Sequence, residues 1–380
     1  MLRCGDNLPP VLPRASARRG ARILAHPPVA KPLDLEYPYA AAPEPGTALQ
    51  VAPGVHWLRM ALPFELDHIN LWLLEDSGGW TIVDTGIGNP ATRALWEQLF
   101  TATLKGRPVR RVLVTHYHPD HAGNAAWLCE RFAVPMWMTR GEFLTVHAVH
   151  ASVASYTPDA SAALYRSNGL DEARVIALAK RGDLFRKLVP EFPLSHRRIV
   201  DGARIDIDGK SWRMIAGYGH SPEHASLYCE AANVLISGDM LLPKISTNVA
   251  VRPIDPEGNP LGLFLESIAR FRAVRADALV LPSHGMPFRG AHARVESLEA
   301  HHAARLGELL AACAESPCSA VDVLPVLFKR PLGDSQIFFA MGEAIAHLHY
   351  LHANGQVARE VDPHGVARFA PHSVRTRAAA

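Results

Sequence analysis

The segment Thr115-His116-Tyr117-His118-Pro119-Asp120-His121 places four candidate metal ligands within six residues, directly after the apolar run Val109 to Val114. In extended backbone, residues two apart project to the same side, so His116 and His118 can grip one ion together. The chain then turns through Pro119, and Asp120 and His121 face a neighbouring position. Imidazole suits zinc and similar borderline ions, and a carboxylate beside it suits a site that holds water for hydrolysis. A solvated loop rich in histidine would need no such spacing.

Three further candidates stand where strands are expected to end. Gly217-Tyr218-Gly219-His220-Ser221-Pro222 follows the run Trp212 to Ala216, Val234 to Gly238 leads into Asp239, and Leu279 to Ser283 leads into His284 and Gly285. Loops at strand ends, held by a rigid sheet, are where catalytic groups concentrate. Glycines beside His220, Asp239 and His284 let the backbone turn sharply next to an ion.

The set resembles the pattern of the metallo-β-lactamase superfamily: H-x-H-x-D-H, then a lone His, a bridging Asp and a final His. The likeness runs from about Val51 to Gly290. It implies an α/β protein of the αββα type, two packed mixed β-sheets flanked by helices. It also implies that His116, His118 and His220 bind a first metal, that Asp120, His121 and His284 bind a second, and that Asp239 bridges both. Val83-Asp84-Thr85-Gly86 matches the family's early strand-end motif, in which Asp84 would orient a ligand histidine from behind. Read alone, Asp84 is equally a turn residue before Gly86.

The true β-lactamases generally carry cysteine at the position of Asp239 or lack the bridging carboxylate. This chain is therefore more similar to the hydroxyacylglutathione hydrolases, the lactonases and the nucleases, and antibiotic hydrolysis is not expected. The implied cofactors are two divalent ions, zinc first, with iron or manganese as alternatives. Such a pair would hold a bridging water and lower its pKa towards neutrality. Asp120 would be the catalytic side chain that helps to shuttle a proton, and no side-chain nucleophile is required.

Length and composition bound the remaining readings. The chain has 380 residues, 48% of them hydrophobic and 20% charged, which describes a globular protein with ample material for a core and for two domains. A net charge of +2 implies no general attraction to nucleic acid or to acidic membranes. No apolar stretch approaches the ~20 residues that a membrane-spanning helix needs. The five cysteines are scattered without a paired framework, which suits a reducing cytoplasm.

Residues 1–46 read as a basic, proline-rich, disordered tail, with Arg14, Arg18, Arg19, Arg22 and Lys31 and almost no acids. The tail lacks the uninterrupted apolar core of a secretory signal, although an organelle-directed presequence stays open. Residues 47–290 form the expected catalytic domain. Its strands are Val51 to Met60, Ile69 to Leu74 and Trp80 to Val83, and its helices are Thr92 to Leu104 and Ala122 to Arg131. Residues 141–193 read as a helical insert lying over the site. Leu170 and Val175 would staple a helix capped by Asp171 and closed by Gly182. Phe143, Val146, Val149 and Tyr156 would either line a substrate pocket or pack the insert onto the core, with packing favoured.

Residues 291–372 show helices at Ala291 to Ala314, Ala320 to Phe328 and Ser335 to Asn354, then two short strands. This resembles the winged-helix domain appended to some relatives, and 373–380 is a short tail. The would-be recognition helix contains no Lys or Arg, which phosphate contact requires. A structural or homodimer-forming role is expected there, and nucleic acid is not an expected partner.

The leading functional reading is a cytoplasmic hydrolase of a small-molecule thioester, lactone or ester. Lys244 and Asn248 offer polar groups for the substrate, with Arg252 a weaker candidate. The alternative is a metal-dependent ribonuclease, which calls for a basic track from the metals to the tail. A redox role is disfavoured because no Gly-rich flavin or dinucleotide fingerprint accompanies the motif, and because His118 stands where such relatives carry glutamate.

Overall fold

The computed structural model describes residues 35–179, 184–329, 331–333 and 336–372. The basic residues of the N-terminal tail, Gly182, Ser335 and residues 373–380 lie outside the described residues.

The first sheet runs β1 (Leu49–Ala52), β2 (Val55–Ala61), β3 (His68–Asp76), β4 (Gly79–Val83), β5 (Val109–Leu113), β6 (Met136–Met138) and β7 (Arg197–Arg198), in that order. It is antiparallel as far as β4 and parallel from β4 to β7. The second sheet holds β8 (Arg204–Ile207), β9 (Lys210–Gly217), β10 (His224–Cys229), β11 (Val234–Gly238) and β12 (Leu279–Pro282), each beside its neighbour in sequence. Only its β11–β12 pair is parallel. A hairpin of β13 (Val357–Val361) and β14 (Ala367–Pro371) stands apart from both sheets.

Side chains alternate across a strand, and here both faces are covered, so the central strands are apolar throughout. In β3, Trp72 and Leu74 point between the sheets, while Ile69, Leu71 and Leu73 pack under the outer helices. In β11, Val234 and Ile236 face the sheet interior and Leu235 faces the opposite helices. The result is helix, sheet, sheet, helix: the αββα sandwich. Each fully buried Leu, Ile or Val contributes on the order of 1.5–3 kcal/mol, so this interior is the main source of rigidity beneath the loops.

Several elements differ from the sequence expectation. Val51 to Met60 is a hairpin rather than one strand, because Gly54 (φ +76°) turns the chain between β1 and β2. The helix expected from Thr92 starts earlier, at Pro90–Leu99, and widens into a π-helical turn at Phe100–Leu104. The helix expected over Ala122 to Arg131 is two helices, Pro119–Ala122 and Ala125–Phe132. The break is imposed from outside: the Asn124 side-chain amide donates to the Thr85, Gly86 and Ile87 carbonyls, pinning the chain against the Asp84 turn. Ala320 to Phe328 forms only the single turn Leu324–Leu327, since Pro325 fits a helix start and not an interior.

Part of the expected tail is also packed. Arg289 N–H donates to the Glu36 carbonyl (2.9 Å), and the Tyr39 hydroxyl donates to the Val51 carbonyl (2.6 Å) beside Trp57.

The insert comprises Arg140–His150, Pro158–Arg166, Glu172–Ala179 and Leu184–Leu188. Asp171 accepts from the Arg174 N–H at 3.0 Å as its cap, with Leu170 and Val175 buried beside it. Phe143 and Val146 join the core of the first sheet rather than lining an open pocket. The long helix Ala291–Glu315 and the helix Gln336–Ala353 share one continuous apolar core with the second sheet. Among the described residues, no helix is long and apolar enough to cross a membrane.

Candidate metal centre

Strand direction explains why distant segments meet. β4 and β5 are parallel, so the Asp84 turn and the His116 loop leave the same edge of the first sheet. β9 and β11 each run antiparallel to β10, and β12 runs parallel to β11, so His220, Asp239 and His284 all follow strands ending on one edge of the second sheet. Packing the sheets face to face brings the two edges together.

The seven candidate residues converge there as two sets. His116, His118, His220 and Asp239 present donor atoms mutually within 4.8 Å, and so do Asp120, His121 and His284. In the first set, His116 Nε2 lies 2.9 Å from His118 Nδ1 and 3.2 Å from His220 Nε2. Asp239 spans the sets: its Oδ2 is 3.4 Å from His220 Nε2, while its Oδ1 is 3.4 Å from His121 Nε2 and 3.5 Å from His284 Nε2. Asp120 Oδ2 stands 3.4 Å from His284 Nε2 and 3.7 Å from His121 Nε2. Ligands bonded at roughly 2.0–2.1 Å in a tetrahedron sit about 3.3–3.4 Å apart, close to most of these separations.

The imidazoles are oriented from behind. His220 Nδ1–H donates to the Asn248 carbonyl and His284 Nδ1–H to the His68 carbonyl, each at 2.8 Å. A carbonyl can only accept, so in the neutral ring each Nε2 carries its lone pair inward. Asp84 accepts from Thr115 N–H (2.7 Å), from the Thr115 hydroxyl (2.9 Å) and from His121 Nδ1–H (2.8 Å). Its φ of +62° lies in the left-handed region that Asp tolerates better than most residues. Asp84 thus occupies a left-handed turn position and at the same time accepts from the back of the His121 ring.

Lone pairs therefore face lone pairs. His121 Nε2 and Asp239 Oδ1 are buried without a hydrogen-bond partner among the described residues. Such an arrangement is costly unless a cation lies between the acceptors, and a donor set of imidazole and carboxylate fits one. Titration divides the histidines. Burial holds His116 and His118 well below the usual histidine range, helped by neighbouring histidines, so they stay neutral as ligands must be. For His121, burial is outweighed by Asp120, Asp84 and Asp239, which hold it well above that range. His284 is raised in the same sense: burial opposes protonation, and Asp239 outweighs it.

The site also uses residues that the sequence reading missed. His224, at the start of β10, lies 4.8 Å from the His116 ring, and its Nε2 accepts from the Asp239 N–H at 3.1 Å. Only the four-residue spacing after His220 hinted at it. The Thr247 hydroxyl holds the Asp239 carbonyl. His68 Nε2 accepts from Gly285 N–H at 2.8 Å, tying the His284 loop to the other sheet. Of the candidate substrate residues, Lys244 is exposed, and Asn248 contributes its backbone carbonyl to His220. Arg252 is half-buried, and its charge acts on Tyr117 and His118.

Residues 65–284 match the family described as the Metallo-beta-lactamase superfamily. The chain belongs to that superfamily. Residues 306–372 further match a Metallo-beta-lactamase-like C-terminal domain. A crystal structure of a beta-lactamase domain protein from Burkholderia ambifaria is 49% identical, covering 89% of this chain and 97% of that one, with a TM-score of 0.82. The probable metallo-hydrolase YqjP of Bacillus subtilis (strain 168) is 25% identical over 317 residues, 78% of this chain and 91% of that protein. An atrochrysone carboxyl ACP thioesterase of Aspergillus fumigatus is 23% identical over 228 residues, 60% of this chain but 39% of that protein. Metallo-hydrolase chemistry is thus the common ground of the superfamily and of the histidine and aspartate clusters.

Proposed function

We propose that this superfamily member is a binuclear metal-dependent hydrolase of a small-molecule thioester, lactone or ester, akin to the hydroxyacylglutathione hydrolases. The observation that carries the reading is Asp239, whose two oxygens face two separate ligand sets. His116, His118 and His220 would hold one ion, Asp120, His121 and His284 the other, with zinc first and iron or manganese as alternatives. When bound, the pair supplies an activated water near neutral pH and Lewis-acid stabilisation of developing negative charge.

The chain's own residues do the rest. Asp120 is more open than its neighbours, its side chain 19% exposed against 10% for Asp239 and 3% for His284, so it is the carboxylate placed to exchange a proton with a leaving group. Arg252 gives positive charge beside Tyr117, suited to a carboxylate on the acyl substrate. The likeness to an acyl carrier protein thioesterase supports a thioester among the candidate substrates.

The helix Gln336–Ala353 buries Phe338, Met341, Ile345 and Leu348, so the winged-helix-like tail serves a structural role in this reading and takes no nucleic acid. A homodimer in the cytoplasm is the proposed setting.

The test is elemental analysis of purified protein, followed by assay against a panel of thioesters and lactones with and without chelator. Two ions per chain and chelator-sensitive acyl hydrolysis are expected. Chelator-sensitive cleavage of single-stranded RNA at low enzyme concentration, with no acyl turnover, would replace this reading with the nuclease one.

A further inference from the structure

Glu142 belongs to neither ligand set. It lies in the first turn of the insert's first helix and is fully buried. Its Oε1 accepts from the Ser221 hydroxyl at 2.6 Å and from the Glu223 N–H at 2.6 Å, and its Oε2 accepts from the Tyr117 N–H at 2.9 Å. Tyr117 stands between His116 and His118, and Ser221 follows His220. One carboxylate therefore spans the two loops that carry the histidines of the first set.

The helix start is itself locked to the same place. Gly141 N–H donates to Glu223 Oε2 at 2.9 Å, and the Thr139 hydroxyl donates to the Glu223 carbonyl at 2.7 Å. A buried carboxylate is costly unless its lone pairs are filled. Here three donors fill them, and all three come from the ligand loops. An apolar residue in its place would leave the Tyr117 and Glu223 N–H groups without this acceptor. No comparable contact runs from Glu142 to Asp120, His121 or His284 among the described residues.

We propose that Glu142 is a positioning residue that sets the span between the His116–His118 pair and His220, so that the first metal site, and not the second, depends on the seating of the insert. The inference rests on the metal-centre reading above. A shift of the insert helix, for instance on substrate contact, is then transmitted directly to one of the two ions. The other site is backed by Asp84 and His68 and takes no direct contact from Glu142 among the described residues.

The experiment titrates cobalt(II) alone into metal-free protein and follows the absorption spectrum of each equivalent. It uses wild type, Glu142→Gln, Ser221→Ala and Asp84→Asn, the last acting on His121. Glutamine has one acceptor oxygen where glutamate has two, so its amide nitrogen must face a donor that it cannot satisfy. Glu142→Gln should weaken one equivalent about 10–100-fold, the usual range for a lost outer partner, and leave the other unchanged. Asp84→Asn should weaken the opposite equivalent.

If Glu142→Gln weakens both equivalents alike, weakens the one that Asp84→Asn weakens, or weakens neither, in a protein with wild-type circular dichroism, the inference is overturned. If Glu142→Gln does not fold, Ser221→Ala decides. It removes one donor and should weaken the same equivalent to a smaller degree, and unchanged binding of both would overturn the inference. Wild-type protein that takes up no cobalt would instead overturn the metal-centre reading itself.

Discussion

Replacing Asp84 by asparagine tests the logic of the centre with the smallest change of shape. Asparagine tolerates the left-handed φ of +62° and keeps one oxygen for the Thr115 N–H at 2.7 Å. The other position becomes an amide nitrogen facing His121 Nδ1–H, formerly 2.8 Å from a carboxylate oxygen. Donor then meets donor. The conflict is relieved if the imidazole proton moves to Nε2, but that atom points at Asp120 and Asp239 and must be bare to bind an ion. Hydrogen bonds to charged groups contribute about 1.5–3 kcal/mol. At 1.4 kcal/mol per decade this is roughly a 10–150-fold loss of affinity at one site. Competition with a chromophoric chelator for two equivalents of zinc measures it, with circular dichroism as the check on folding. A folded Asp84→Asn protein that holds both ions as tightly as wild type would refute the argument that Asp84 sets the His121 tautomer.

Other perturbations follow from particular contacts. Gly238 has φ +56°, and a Cβ there would run into the His224 ring. Gly238→Ala should therefore cost roughly 1–2 kcal/mol of backbone strain plus about 1–3 for displacing the ring, and an unshifted urea midpoint would contradict this. Burial pushes the half-buried Glu343 carboxyl up to about 7 from an ordinary value near 4.5. The folded state then holds the extra proton between those values. The destabilisation is absent below pH 4.5, grows through the window and is complete above pH 7, at most roughly 3 kcal/mol. Glu343→Gln should accordingly match wild type in denaturation at pH 4 and exceed it at pH 8, and equal stability at pH 8 would count against the reading. Arg252→Ala should raise KM for an acyl substrate bearing a carboxylate about tenfold or more while sparing kcat, as loss of a charged hydrogen bond implies. An equal effect on an uncharged analogue would remove Arg252 from substrate recognition.

Much of the candidate centre could be read from residue order because its candidate ligands obey local rules. Alternation in extended backbone pairs His116 with His118, and apolar runs ending in His220, Asp239 or His284 mark strand ends. The apolar periods of β3, β5, β9, β11 and β12 likewise announced buried strands and, with the intervening helices, a layered α/β fold. What one-dimensional reading could not supply were partnerships without a local signature. Glu142 and His68 are ordinary residues by spacing, His224 shows only its four-residue interval from His220, and all three matter because the insert, β3 and β10 are folded against other loops.

The chain's order of residues determined which donors exist and which strand ends bear them, since the two-residue period of a strand needs no distant information. Tertiary structure alone decided that Glu142 ties the His118 and His220 loops together, that the chain after Asp120 breaks its helix at Asn124, and that Glu36 and Tyr39 bond to the sandwich. These outcomes depend on the face-to-face packing of two sheets. The hydrogen bonds that settle them join groups whose separation along the chain carries no trace of their distance in space.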